Sequence, residues 1–155
     1  MPGLASGACR VLSTVWVIAC LGGSFSLAAS QKALSYSGED PRLQWGPRPA
    51  FMPEGCQIAV LHGNPAENNT DVFFKLPAGV AFPRHWHTSA ERMVLISGEL
   101  HVTYDGQPTV VLKEGSYAYG PAKLPHEGRC AGDEPCLLFI AFELPVDAVP
   151  GEEQP

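Results

Sequence analysis

Residues 79–98 read Gly-Val-Ala-Phe-Pro-Arg-His-Trp-His-Thr-Ser-Ala-Glu-Arg-Met-Val-Leu-Ile-Ser-Gly. His85 and His87 flank Trp86 in a segment that follows Pro83 and reads as extended, so a period of two puts both imidazoles on one face of a strand and the indole on the other. Four residues after His87, Glu91 leads into the apolar run 93–96 and shares its parity with Met93 and Leu95. A carboxylate on the inward face of a strand is costly to bury unless it is paired or bound to a metal. Taken alone, the segment also fits a plain polar face with two surface histidines and a solvated glutamate.

Working outward, short segments rich in Val, Ile, Phe and Tyr recur at 57–61, 70–76, 92–96, 99–104, 109–112, 116–119 and 137–143, separated by Gly, Pro, Asn or Asp. Tyr104-Asp105-Gly106-Gln107 carries a hairpin signal, and Ser97-Gly98 and Glu114-Gly115 mark further turns. Gly 16 and Pro 15 are scattered without a period among 155 residues, which excludes collagen and argues against long helices. Seven or more strands at this spacing predict an all-β sandwich or barrel.

One further histidine joins the pair. His126 closes the stretch Gly120-Pro121-Ala122-Lys123-Leu124-Pro125-His126, where two prolines fix the backbone. A strand paired beside the His85 segment would aim this imidazole at the same point. Three imidazoles and one carboxylate form a mixed nitrogen and oxygen donor set, suited to one divalent transition metal such as Fe, Mn, Zn, Ni, Co or Cu and less suited to Ca or Mg.

Composition narrows the partners. With 17% charged residues and 45% hydrophobic, the chain has the balance of a folded domain, and its length suits one domain. The formal charge of −6 and the absence of any Lys/Arg cluster make nucleic acid a poor partner. Residues 1–38 contain no Asp or Glu, and Arg10 precedes the apolar run that starts at Val11. Residues 1–30 therefore read as a signal peptide, cut between Ala28 and Gln31, which makes the protein periplasmic or secreted, with no membrane attachment after cleavage. The uncharged stretch 11–29 also has the length of an anchor, and Val17-Ile18-Ala19-Cys20 has the form of a lipobox. Cys56, Cys130 and Cys136 would remain in an oxidising compartment. Cys130 and Cys136 flank a turn-prone loop and are expected to pair, leaving Cys56 free and buried.

Gly79, His85, His87, Glu91 and Gly98 stand, without a gap, at the spacing of the first cupin motif, and Gly115, Pro121 and His126 resemble the second. Lys123 occupies a position where that family usually has Gly, and Cys130 one where it often has Asn. Over about residues 54–144 the chain thus resembles the small single-domain metal-binding members of the cupin superfamily; residues 83–100 also resemble the ChrR-like cupin domain. The resemblance implies a double-stranded β-helix (jelly-roll) barrel over residues 54–146, preceded by an N-terminal arm at 31–53 and followed by an acidic tail at 147–155. It maps His85, His87, Glu91 and His126 onto metal ligands and implies a homodimer. An enzyme acting on a small organic molecule is expected, with dioxygenase chemistry favoured and isomerase, lyase or decarboxylase chemistry open on the same ligands. Glu91 would either ligate or accept a substrate proton, as the catalytic residue. A non-catalytic metal- or ligand-binding sensor module is the competing class.

Other side chains carry weaker signals. His101 is out of phase with Leu100 and Val102, and His62 sits in a turn. Tyr104, Tyr117 and Tyr119 read as packing or as the rim of a barrel mouth, and Arg84 and Arg92 as solvated neighbours of the ligands or as anchors for a substrate carboxylate. Asn68-Asn69-Thr70 is a glycosylation sequon.

Overall fold

The computed structural model describes residues 32–151. Contacts divide the chain into two units, Met1–Ala33 and Leu34–Pro155. The expected signal peptide and its cleavage point lie outside the described residues, as does the end of the expected acidic tail.

Among the described residues there is no helix, and eleven strands form: β1 (Trp45–Pro47), β2 (Gln57–His62), β3 (Thr70–Leu76), β4 (Ala81–Trp86), β5 (Glu91–Ser97), β6 (Glu99–Tyr104), β7 (Val110–Leu112), β8 (Tyr117–Gly120), β9 (His126–Ala131), β10 (Cys136–Phe142) and β11 (Val149–Pro150). They pair antiparallel into a six-stranded sheet ordered β1-β2-β3-β10-β5-β8 and a five-stranded sheet ordered β11-β4-β9-β6-β7. This is the expected all-β jelly roll. Alternation along each strand sends one set of side chains between the sheets. Val72 and Leu76 of β3, Met93 and Leu95 of β5, Leu100 and Val102 of β6, and Leu138 and Ile140 of β10 all enter that core.

The stretch expected to be an arm belongs largely to the fold. Leu43, with Tyr36 and Trp45 against it, packs on Ala59, Phe73 and Leu137, the outward residues of the six-stranded sheet. Trp45 pairs with Ala59 at the start of the β1–β2 ladder. An apolar outer face on β2, β3 and β10 needs a cover, and the lead-in supplies it. The other boundary also moves: Val149 and Pro150, within the stretch expected to be an acidic tail, pair with Trp86 and His85 as a strand of the second sheet.

Cys130 and Cys136 form the expected disulfide, with Cα atoms 5.7 Å apart, and Cys56 is free and buried. The bridge ties the end of β9 to the start of β10 and so links the two sheets.

Candidate metal centre

His85 lies directly opposite His126 in the β4–β9 ladder, because the two strands are neighbours in the five-stranded sheet. His87 follows β4 on the same face, as the period of two requires. Glu91 opens β5 in the opposite sheet, where it faces Phe142 on one side and Gly120 on the other. Gly120 has a reason to lack a side chain: a Cβ there would come within 2.8 Å of Glu91 Cγ and 2.9 Å of Oε1. The turn before His126 is held by Lys123, whose N–H donates to the His87 carbonyl at 2.8 Å. Lys123 adopts a φ of 63°, the left-handed conformation that suits the Gly usual at this position, so the departure from the family pattern keeps the turn geometry.

Each imidazole is oriented by its Nδ1. His85 donates to the Pro83 carbonyl at 2.9 Å, His87 to the Asp147 carbonyl, and His126 lies 3.4 Å from the Leu124 carbonyl. These bonds leave Nε2 as the free, lone-pair-bearing nitrogen of each ring. The potential ligand atoms of His85, His87 and His126 lie within 4.8 Å of one another. Glu91 borders the group: Oε2 is 3.5 Å from His87 Nε2 and Oε1 is 3.4 Å from His126 Nε2.

Burial sets the electrostatics. The four residues are 2% to 9% exposed. Desolvation, reinforced by the neighbouring His87, pulls the His85 pKa down to about 4 against the opposing pull of its bond to Pro83. Desolvation, then His85 and His87, pulls His126 down to about 3. Burial pushes the Glu91 carboxyl up, with His87 opposing. Phe82 meets the His85 and His126 rings edge-on and Phe142 meets His87, so apolar walls enforce the desolvation.

This arrangement fits a transition-metal ion. Three imidazoles converge, and Glu91 Oε1 is buried with no hydrogen-bond partner among the described residues. An unpartnered buried carboxylate oxygen beside three free imidazole nitrogens is a donor set that a cation would complete.

The donors line a cavity of about 310 Å³ between the sheets, walled mainly by apolar side chains including Met52, Ile58, Phe74, Leu138 and Val146. Tyr104 stands opposite His126 in the β6–β9 ladder with its hydroxyl buried and unpartnered among the described residues, and burial together with the nearby Glu91 charge raises its pKa. Tyr117 and Tyr119 instead face outward from β8. Arg84 is paired with Asp105 and Arg92 with Glu143, so neither is placed as a substrate anchor. His101 pairs with Glu99 at 2.9 Å, and His62 is exposed.

Sequence reasoning passed over Arg48. It lines the cavity from the loop after β1, and its signal was the tripeptide Pro47-Arg48-Pro49, in which two prolines stiffen the backbone around one cation.

Fold and site together define a small jelly-roll domain with a candidate mononuclear metal centre. A cupin-domain family model matches residues 72–142, the stretch that carries the motifs resembling that family. Its sequence is 24% identical over 125 residues to the dimethylsulfoniopropionate lyase DddQ of Ruegeria pomeroyi, covering 79% of this chain and 59% of that protein. The chain thus spans less than two thirds of that relative's length. The crystal structure of DddQ from Ruegeria pomeroyi superposes with a TM-score of 0.62 at 21% identity, over 73% of this chain and 63% of that one. An RmlC-like cupin from Shewanella frigidimarina gives 0.57 at 21% identity, over 79% and 95%.

Proposed function

We propose that this chain is a metal-dependent lyase acting on a small organic acid, with an elimination reaction of the kind a sulfoniopropionate undergoes. The observation that carries the reading is the set of three inward imidazoles beside the unpartnered Glu91 oxygen, facing an apolar cavity. The similarity to a named dimethylsulfoniopropionate lyase supports it. His85, His87 and His126 would hold the ion, with Glu91 at its edge. The ion would supply positive charge that stabilises the negative charge building on the substrate as a C–H bond breaks.

The chain's own residues do the remaining work. Glu91, whose carboxylate borders the imidazoles, takes the proton from the carbon next to the substrate carboxylate. The C–H electron pair becomes the new C=C bond, and the C–S pair leaves on a neutral sulfide. Met52, Phe74 and Leu138 receive the alkyl groups and keep water away from the reacting centre.

Dioxygenase chemistry, favoured on the sequence alone, would use the same ligands, but the similarity to a lyase turns the proposal to elimination. We place the protein in an exported compartment, a reading that the Cys130–Cys136 bridge supports. Purified metal-loaded protein incubated with dimethylsulfoniopropionate under air and under nitrogen separates the chemistries. Equal alkene release in both supports the lyase; product formed only with consumption of O2 supports the oxygenase. Metal binding without turnover of any small acid supports the sensor module.

A further inference from the structure

The cavity holds one more chemical instruction. Among its lining residues Arg48 is the single Lys or Arg. Its Nε is sequestered from solvent and has no hydrogen-bond partner among the described residues, and no ion pair holds the side chain. A guanidinium N–H withdrawn from water without an acceptor is a standing cost unless a ligand supplies the acceptor. The two other charged groups in the lining are committed elsewhere. Glu91 borders the imidazoles, and the Asp147 carboxylate accepts from the backbone and hydroxyl of Thr88.

Position ties Arg48 to the reacting centre. It follows β1 directly, and three residues later Phe51 places its ring 5.8 Å from the His85 ring. Met52, in the turn closed by its N–H to the Pro49 carbonyl at 3.0 Å, enters the core and the cavity wall. The loop from Arg48 to Met52 therefore reaches from the edge of the six-stranded sheet to the metal centre, carrying one cation among apolar walls.

We infer that Arg48 is the carboxylate anchor of the cavity and determines that its substrates are small monocarboxylates with an apolar or alkylated remainder. This rests on the lyase reading for its reaction, but the recognition itself is testable without turnover. A carboxylate docked on Nε and an adjacent Nη would make the bidentate, charge-assisted pair that guanidinium geometry favours. The remainder of the ligand then lies along the apolar walls. The cavity volume of about 310 Å³ suits an acid of a few carbons.

The test is a calorimetric titration of metal-loaded protein with propionate and with propionamide, for the parent, Arg48→Gln and Arg48→Lys. Since Arg48 makes no hydrogen bond to the protein among the described residues, Arg48→Gln should keep its metal content and melting temperature. Propionate should bind Arg48→Gln roughly tenfold or more weakly than the parent, with Arg48→Lys in between, while propionamide barely distinguishes the three. Equal propionate affinity in parent and Arg48→Gln overturns the inference, as does a loss equally large for propionamide. A parent that discriminates propionate through Arg48 yet turns over no sulfoniopropionate sustains the anchor and overturns the lyase reading.

Discussion

His87 donates its Nδ1 proton to the backbone carbonyl of Asp147, sixty positions downstream. That bond fixes the ring so that Nε2 faces the other imidazoles, and it makes the segment before β11 part of the candidate metal centre. The Asp147 carboxylate holds the segment in place by accepting from the Thr88 N–H at 2.8 Å and from the Thr88 hydroxyl. Replacing Asp147 with Ala removes both restraints and leaves the carbonyl free to drift. Metal affinity, read by competition with a chelator, should fall by about tenfold or more, as for other groups that orient a ligating histidine. An unchanged affinity would show that β11 pairing alone positions the carbonyl.

His85→Ala and His126→Ala should each lower both metal occupancy and melting temperature. The ion binds the folded state preferentially, so losing a donor removes stability by mass action. Elemental analysis alongside calorimetric melting checks this, and the two readouts should move together. Occupancy that stays whole in both variants would place the ion elsewhere.

Acid should destabilise the metal-free protein through its histidines. His85 and His126 have folded pKa values of about 4 and about 3, below the ordinary 6.5 of the unfolded chain. Between these limits the unfolded state binds more protons, so stability falls as pH drops through about 6.5 and levels off only near the folded values. Glu91 has the opposite sign. Its carboxyl is raised, so the folded state holds the extra proton and stability falls as pH rises above the ordinary carboxylate value of 4.5. Urea midpoints of metal-free protein between pH 5 and 7 should therefore climb more steeply with pH in Glu91→Gln than in the parent. The reverse order would mean that Glu91 is ionised in the folded apo-protein.

The disulfide joins residues only 6 apart, so its loss should cost about 2 kcal/mol and leave a folded protein. Cys136→Ser should retain the strand content seen by circular dichroism with a lower denaturation midpoint. Thiol titration of unfolded, unreduced protein that begins after residue 30 should find one reactive cysteine, Cys56. Three would exclude the bridge.

The candidate ligand set was legible because coordination demands particular side chains at spacings a strand can deliver, and His85, His87 and Glu91 carry that demand within seven residues. Most strands were legible from their apolar alternation. β9 was not: Glu127-Gly128-Arg129 reads as loop, yet Gly128 is a strand residue kept bare because a Cβ would lie 2.6 Å from the Phe82 ring and 2.6 Å from the His101 carbonyl. That requirement comes from β4 and β6, the strands on either side of β9, and leaves no local periodicity. Arg48 escaped for a similar reason. Its neighbours are prolines, and only the folding of the lead-in against the sheet brings it to the cavity.

In the proposed reaction three imidazoles hold one ion on which an elimination depends. That dependence is tested most directly by stripping the protein of metal and titrating back a divalent transition ion while following alkene release from dimethylsulfoniopropionate. Activity should rise from near zero and break at one ion per chain, with no such rise in His126→Ala. Alkene release that is undiminished in the stripped protein, or that stays absent with the ion fully bound, would contradict it.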